Sequence, residues 1–167
     1  MNRIVFKSQT VEWPTPVEVY RALDAEFHFD LDPCPINGTV DGTAPLFCDW
    51  TGRRVFCNPP YGPQIRDFLE RATEAEVAVF LIPARTDTRW FHELVLPSAR
   101  EVRFVKGRLK FGDAKNAAPF PSMIVVYQRH DLDGSTPHRS DDWLRALGAQ
   151  DAIKEELFGE REFGGGK

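Results

Sequence analysis

The sequence predicts an α/β fold with a mostly parallel sheet and helices on both faces, and three observations carry that expectation. Residues 77–82, Val77-Ala78-Val79-Phe80-Leu81-Ile82, are continuously apolar, as in a strand covered on both sides. Strand-like runs alternate with segments of helical periodicity along most of the chain. Two of those runs end in proline, at Asn58-Pro59-Pro60 and at Pro83, where the missing N–H stops a hydrogen-bonded ladder.

In chain order, Thr15-Pro16-Val17-Glu18 reads as a helix start, with Thr15 as N-cap, Pro16 at the first helical position and Glu18 closing a capping box. Val19, Tyr20, Leu23 and Phe27 then share one face of a helix running to about residue 27. Trp13 is either the hydrophobic staple of that helix or part of a ligand wall, the staple being the simpler assignment. Phe29-Asp30-Leu31-Asp32 alternates apolar and acidic residues, which predicts a short strand ending at Asp32, and residues 36–42 are a Gly/Asn/Asp-rich loop. Residues 46–50 form a short edge strand or a turn. A central strand at 55–57 precedes a helix over 63–75, with Ile65, Phe68, Leu69 and Ala72 on its buried face. After the strand at 77–82, Thr86 or Asp87 caps a helix over 88–96. Further strands fall at 101–105 and 122–127. A terminal helix runs intermittently from about 140 to 158, and residues 161–167 form a glycine-rich flexible tail. The expectation is one domain over 1–160.

A chain of 167 residues with 42% apolar and 28% charged residues has the composition of one globular domain. Its net charge of −4 argues against a charge-driven binder of nucleic acid. Lys106, Arg108, Lys110 and Lys115 lie close together, and Arg85 and Arg89 follow an apolar run, so that one face is basic or, equally, a solvated loop carries these charges. Cys34, Cys48 and Cys57 have no CxxC spacing and, with four scattered His residues, make no zinc site; reduced thiols and no metal are expected. No stretch approaches the ~18 apolar residues of a membrane span. The N-terminus is too short and polar for a signal peptide, and a cytoplasmic protein is expected.

The chemistry-bearing stretch is Val55-Phe56-Cys57-Asn58-Pro59-Pro60-Tyr61-Gly62. The two prolines turn the chain out of the sheet and leave an Asn amide oxygen, a Pro59 carbonyl and a Tyr61 ring at one strand end. Two acceptors and a flat face suit a planar group bearing an amine, such as a nucleobase. The plainer alternative is a strand followed by a Pro-Pro turn and a core tyrosine. In an open α/β sheet ligands bind at the carboxyl ends of strands, where Asp32 and Asn58 would share a crevice.

The succession of Trp13-Pro14-Thr15-Pro16, Asp30-Leu31-Asp32-Pro33-Cys34, Asp49-Trp50, Asn58-Pro59-Pro60-Tyr61, Pro83-Ala84-Arg85-Thr86-Asp87-Thr88 with Trp90-Phe91, and Gly107-Arg108-Leu109 with Phe111 and Pro121-Ser122 resembles the phage-type DNA adenine N6-methyltransferases. The resemblance spans about residues 11–127. It implies a compact Rossmann-like fold, S-adenosylmethionine (AdoMet) as methyl donor and DNA as partner, with site-specific transfer to the N6 amine of a flipped-out adenine. It implies catalytic roles for Asn58, Pro59, Pro60 and Tyr61. Asp32 and Pro33 would lie against the methionine end of the cofactor, Asp49 against its adenosine portion, and Trp13 to Thr15 would close over it. Either Asp can be read instead as a loop cap. Arg85, Thr86, Asp87, Lys106, Arg108 and Lys110 are the residues implied for the DNA side. In place of the Phe-x-Gly-x-Gly turn of larger relatives stands Asp32-Pro33-Cys34-Pro35-Ile36-Asn37-Gly38, in which only Gly38 fits that part. Methylation of cytosine N4 or of RNA, and a catalytically silent nucleic-acid-binding module, are the alternatives. No recognition helix or separate target domain is visible, so specificity is short, relaxed, or carried by loops such as 32–50 and 107–119.

Overall fold

The computed structural model describes residues 13–35, 46–112 and 114–129. The loop expected at 36–42, the terminal helix at 140–158 and the tail at 161–167 lie outside them. The order of elements is α1 (Val17–Phe27), β1 (Arg54–Cys57), α2 (Ile65–Glu70), a 3-10 turn (Arg71–Glu74), β2 (Val77–Pro83), a π-helical turn (Phe91–Val95), β3 (Glu101–Phe104) and β4 (Ser122–Gln128). This is an α/β chain.

The four strands form one sheet in the order β1-β2-β4-β3. β1 and β2 are parallel, Cys57 standing opposite Phe80, whereas β4 runs antiparallel to both β2 and β3. The sheet is therefore mixed rather than mostly parallel. The continuously apolar run of β2 reports burial on both faces, and that is equally well met with one parallel and one antiparallel neighbour. The chain between β3 and β4 returns from the end at which it left, which makes an antiparallel pair without a helical crossover. The strand expected at 29–32 is reduced to a single parallel bridge from Leu31 to Val55, with the Phe56 N–H donating to the Leu31 carbonyl at 2.9 Å. β1 thus has Leu31 on one side and β2 on the other.

Side chains of β2 alternate between two core clusters with the pleat. Ala78, Phe80 and Ile82 share one cluster with Ile65, Phe68 and Leu69 of α2, with Phe91 and Val95, and with Trp50. Val77, Val79 and Leu81 share the other with Val19 and Leu23 of α1, Phe56, Ile124 and Val126. Arg103, on β3, is buried and paired with Glu26 of α1 and with Glu101, its charge offset by two carboxylates, and its guanidinium lies over the Phe27 ring.

Two local expectations fail informatively. Pro16 occupies the N-cap position of α1 and no side chain caps the helix, so neither the Thr15 hydroxyl nor the Glu18 box plays that part. Of the two alternatives for residues 46–50, the structure has the turn, over 46–48. The segment at 88–96 is a short helical turn that widens to π geometry over Phe91–Val95. It is entered through Thr88, whose hydroxyl donates to the Arg85 carbonyl at 2.8 Å.

Candidate active site

Because β1, β2 and the Leu31 bridge run in the same direction, Asp32, Asn58 and Pro83 all leave the sheet at one edge. β3, antiparallel to β4, ends there too, and it delivers Lys106, Arg108 and Lys110 to the same side. The 32–34 loop lies against the end of β1: the Cys34 and Cys57 sulfurs are 4.0 Å apart, and no disulfide joins them.

The central feature is the orientation of Asn58. Its amide nitrogen donates to the Trp13 carbonyl at 2.5 Å and to the Thr15 hydroxyl at 2.9 Å. Both N–H groups are thereby used, and the amide oxygen is buried without a partner among the described residues. A buried acceptor left unpaired costs about 1–3 kcal/mol, a cost that calls for an explanation at this position. Ser122 Oγ, at the start of β4 opposite Pro83, is similarly buried and unpaired among the described residues.

The Trp13 ring belongs to a cluster of four aromatic rings. Trp13 lies nearly parallel to Tyr61, their centroids 6.4 Å apart, and meets Phe111 and Phe120 edge-on at 5.4 and 5.2 Å. Tyr61 contacts the same two phenylalanines at 6.0 and 5.4 Å. Such pairs favour tilted or offset geometry and exclude water. Burial of the Tyr61 phenol, with the Cys57 thiol nearby, raises its pKa, so that it stays neutral and is no general base. Trp13 packs into this aromatic cluster. The cluster is tied together where the Gly112 N–H donates to the Pro14 carbonyl at 3.0 Å. Gly112 has φ +52°, and a Cβ there would stand 3.3 Å from Pro14.

Phe111 and Phe120 have no role in the expectations drawn from sequence, although Pro119-Phe120-Pro121 is a signal of a kind: a large apolar ring held between two rigid residues in an otherwise polar loop.

Asp32 is half-buried. Burial pushes its carboxyl up to about 6, and the single backbone N–H it accepts, from Cys34 at 2.9 Å, only partly counters this. Asp49 is exposed and accepts the Thr51 N–H at 2.9 Å, which holds its carboxyl below the usual range. Both acids thus close a turn on the residue two positions ahead, but only Asp32 is left short of compensating charge. Pro33 and Pro59 are buried beside them. Arg85, Thr86, Asp87, Lys106, Arg108 and Lys110 are exposed. Arg85, Lys106, Arg108 and Lys110 make no ion pair with another described residue, unlike Arg66, Arg71 and Arg89, which pair with glutamates.

At the carboxyl edge of this α/β sheet stand a buried acceptor without a partner among the described residues, a cluster of aromatic rings and exposed cations. Comparison with known proteins supplies the family. The family of DNA N-6-adenine-methyltransferases (Dam) matches residues 4–140, and the chain belongs to that family of enzymes. A DNA N-6-adenine-methyltransferase of Haemophilus phage HP1 (strain HP1c1) is 28% identical over 142 residues, covering 73% of this chain and 81% of that protein. No solved structure matches. Among the described residues no helix is long and apolar enough to cross a membrane, and no group of three or more His, Cys, Asp or Glu side chains is placed to hold a metal ion.

Proposed function

We propose that the protein is a site-specific enzyme that transfers the methyl group of AdoMet to the N6 amine of an adenine flipped out of DNA, with Asn58, Pro59, Pro60 and Tyr61 as its catalytic segment. The observation that carries this reading is the buried, partnerless Asn58 oxygen whose amide nitrogen is already fully engaged.

The N6 lone pair is delocalised into the purine ring, so the site's task is to reshape the amine rather than to deprotonate it. The Asn58 oxygen and the Pro59 carbonyl each accept one of its hydrogens. That draws the nitrogen toward tetrahedral geometry and frees the lone pair. Tyr61 and the neighbouring rings supply the flat face, a stack worth ~1–3 kcal/mol per base, which offsets part of the few kcal/mol that flipping costs. AdoMet, when bound, supplies a methyl group on a cationic sulfur and departs as the neutral thioether. The N–C bond would form as the donor's C–S bond breaks with its electron pair left on sulfur, and the nitrogen held by Asn58 and Pro59 would then lose one proton to solvent. Acceleration comes from positioning and pre-organised acceptors.

Asp32 fits the cofactor: a half-buried carboxylate short of positive charge suits the ammonium of the methionine moiety. Pro33 lines the same turn, Asp49 is proposed for the adenosine end, and the 13–15 segment closes over the donor. Arg85, Thr86, Asp87, Lys106, Arg108 and Lys110 are proposed to approach the DNA backbone. The finer fold is read as Rossmann-like with helices on both faces, supported by the separate packing of α1 and α2 in the two core clusters, and as one domain over 1–160. The phage relative supports action inside a bacterial cell, in its cytoplasm, from a phage or prophage gene.

Asn58→Ala tests the reading. Methyl transfer to DNA is expected to fall ~10²–10³-fold or more, with AdoMet affinity by calorimetry little changed. Near-normal turnover would sink the acceptor mechanism. Identification of the labelled nucleoside after transfer from methyl-labelled AdoMet separates N6-adenine from N4-cytosine methylation.

A further inference from the structure

We infer that Thr15 and the Trp13 carbonyl are a positioning clamp that admits only one orientation of the Asn58 amide and requires a neutral side chain at position 58; this rests on the reading of Asn58 as the amine acceptor.

A peptide carbonyl has no hydrogen to give, so the side-chain edge 2.5 Å from the Trp13 oxygen must carry N–H. With the amide flipped, two oxygens would face each other at that distance. Thr15 Oγ1 receives the second N–H at 2.9 Å. The pair together directs the Asn58 oxygen away from the 13–15 segment, to the side where it has no partner. Which amide atom meets the substrate is thus decided by a segment more than forty residues distant in sequence.

The clamp is itself held still. Pro14 and Pro16 fix their own φ and confine Trp13 and Thr15 to extended backbone. The Pro14 carbonyl accepts the Gly112 N–H, and the Trp13 ring is packed between Tyr61, Phe111 and Phe120. The Thr15 hydroxyl caps nothing in α1, so its bond to Asn58 is the structural use it has.

One consequence is particular to this geometry. A carboxylate in place of the amide has no N–H and would set a charged oxygen against the Trp13 carbonyl. A protonated carboxyl would not: its O–H donates to Trp13, the Thr15 hydroxyl turns to donate to that same oxygen, and the second carboxyl oxygen takes over as acceptor. Asn58→Asp is therefore expected to work only while the new side chain is protonated.

The test compares Thr15→Val, Thr15→Ser, Asn58→Asp and Asn58→Ala with the parent in single-turnover methyl transfer to DNA across about pH 5.5 to 8.5, with AdoMet affinity and thermal midpoint measured alongside. Thr15→Val is expected to lower the transfer rate about tenfold, the equivalent of one ordinary hydrogen bond, with KM for DNA within about twofold. Thr15→Ser, which keeps the hydroxyl, restores the rate. Asn58→Asp is expected to gain activity relative to the parent as pH falls. The clamp is overturned if Thr15→Val and Thr15→Ser behave alike, or if the Asn58→Asp profile runs parallel to that of the parent. Should Thr15→Val not fold, the Asn58→Asp profile decides alone. An active Asn58→Ala enzyme removes the underlying acceptor reading, whereas an inactive one beside a normal Thr15→Val removes the clamp only.

Discussion

Asp32→Asn separates the stability of this protein from its proposed cofactor chemistry. In the folded chain burial raises the Asp32 carboxyl from an ordinary 3.8 to about 6. The native state therefore holds this proton more tightly than the unfolded chain does, and unfolding releases it. By linkage, stability falls as pH rises from about 4 through 6, and the full penalty persists above that. At about 1.36 kcal/mol for each pH unit, the interval amounts to about 3 kcal/mol at most; partial exposure of the side chain makes the true figure smaller. Asparagine keeps the oxygen that accepts the Cys34 N–H but is never charged. Asp32→Asn is thus expected to be more stable than the parent at about pH 8, by up to about 3 kcal/mol, with the difference shrinking toward zero near pH 4. For a domain of this size that is a rise in thermal midpoint of several degrees. Urea unfolding at several pH values measures it. The same substitution removes the anion proposed to meet the methionine ammonium, so AdoMet affinity is expected to fall while stability rises. A variant no more stable than the parent at about pH 8, or a gain that does not change with pH, would refute the account of an under-compensated buried charge. A stabilised variant with unchanged AdoMet affinity would leave that account standing and take Asp32 out of the cofactor site.

Two other outcomes follow from the loops that surround the site. Gly112→Ala forces a side chain into φ +52° against Pro14, which should cost about 1–2 kcal/mol and also lower turnover by shifting the 13–15 segment. Gly107→Ala, at φ +76° with open space around it, should carry a similar conformational cost without the loss of turnover, and equal turnover in the two variants would count against coupling of the 111–112 loop to the site. Replacement of Arg85, Lys106, Arg108 or Lys110 by Met should reduce the slope of log affinity for DNA against log salt by about 0.9 for each phosphate that the missing cation had neutralised; an unchanged slope in all four would make them a solvated face.

What was legible in the sequence and what was not divides along the reach of the signals. The apolar runs at 77–82 and 122–127 are found as β2 and β4 to within one residue at each end, because burial on both faces writes itself into every position of a strand. Strand direction is not written there: the same run serves beside a parallel β1 and an antiparallel β4. The 55–62 stretch was readable as a strand end carrying acceptors, since two prolines cannot continue a ladder. The orientation of the Asn58 amide was not, because it is settled by backbone and hydroxyl groups 45 and 43 positions away.

Thr15 shows why such an interaction escapes local reading. Thr-Pro-x-Glu spells a capped helix start, and the helix does begin at Val17, so the pattern is right about the element and wrong about the hydroxyl. A threonine has one hydroxyl proton and a short reach. If it capped α1 it would face the Val17 and Glu18 amides and leave one Asn58 N–H without an acceptor. α1 forgoes a side-chain cap worth about 1 kcal/mol, and the amide beside the unpaired oxygen gains its second anchor. A local rule broken at a residue that instead orients a partnerless buried acceptor is the pattern expected where function competes with stability. That broken rule ties the 13–16 segment to the end of β1 through Asn58 as well as to the start of α1.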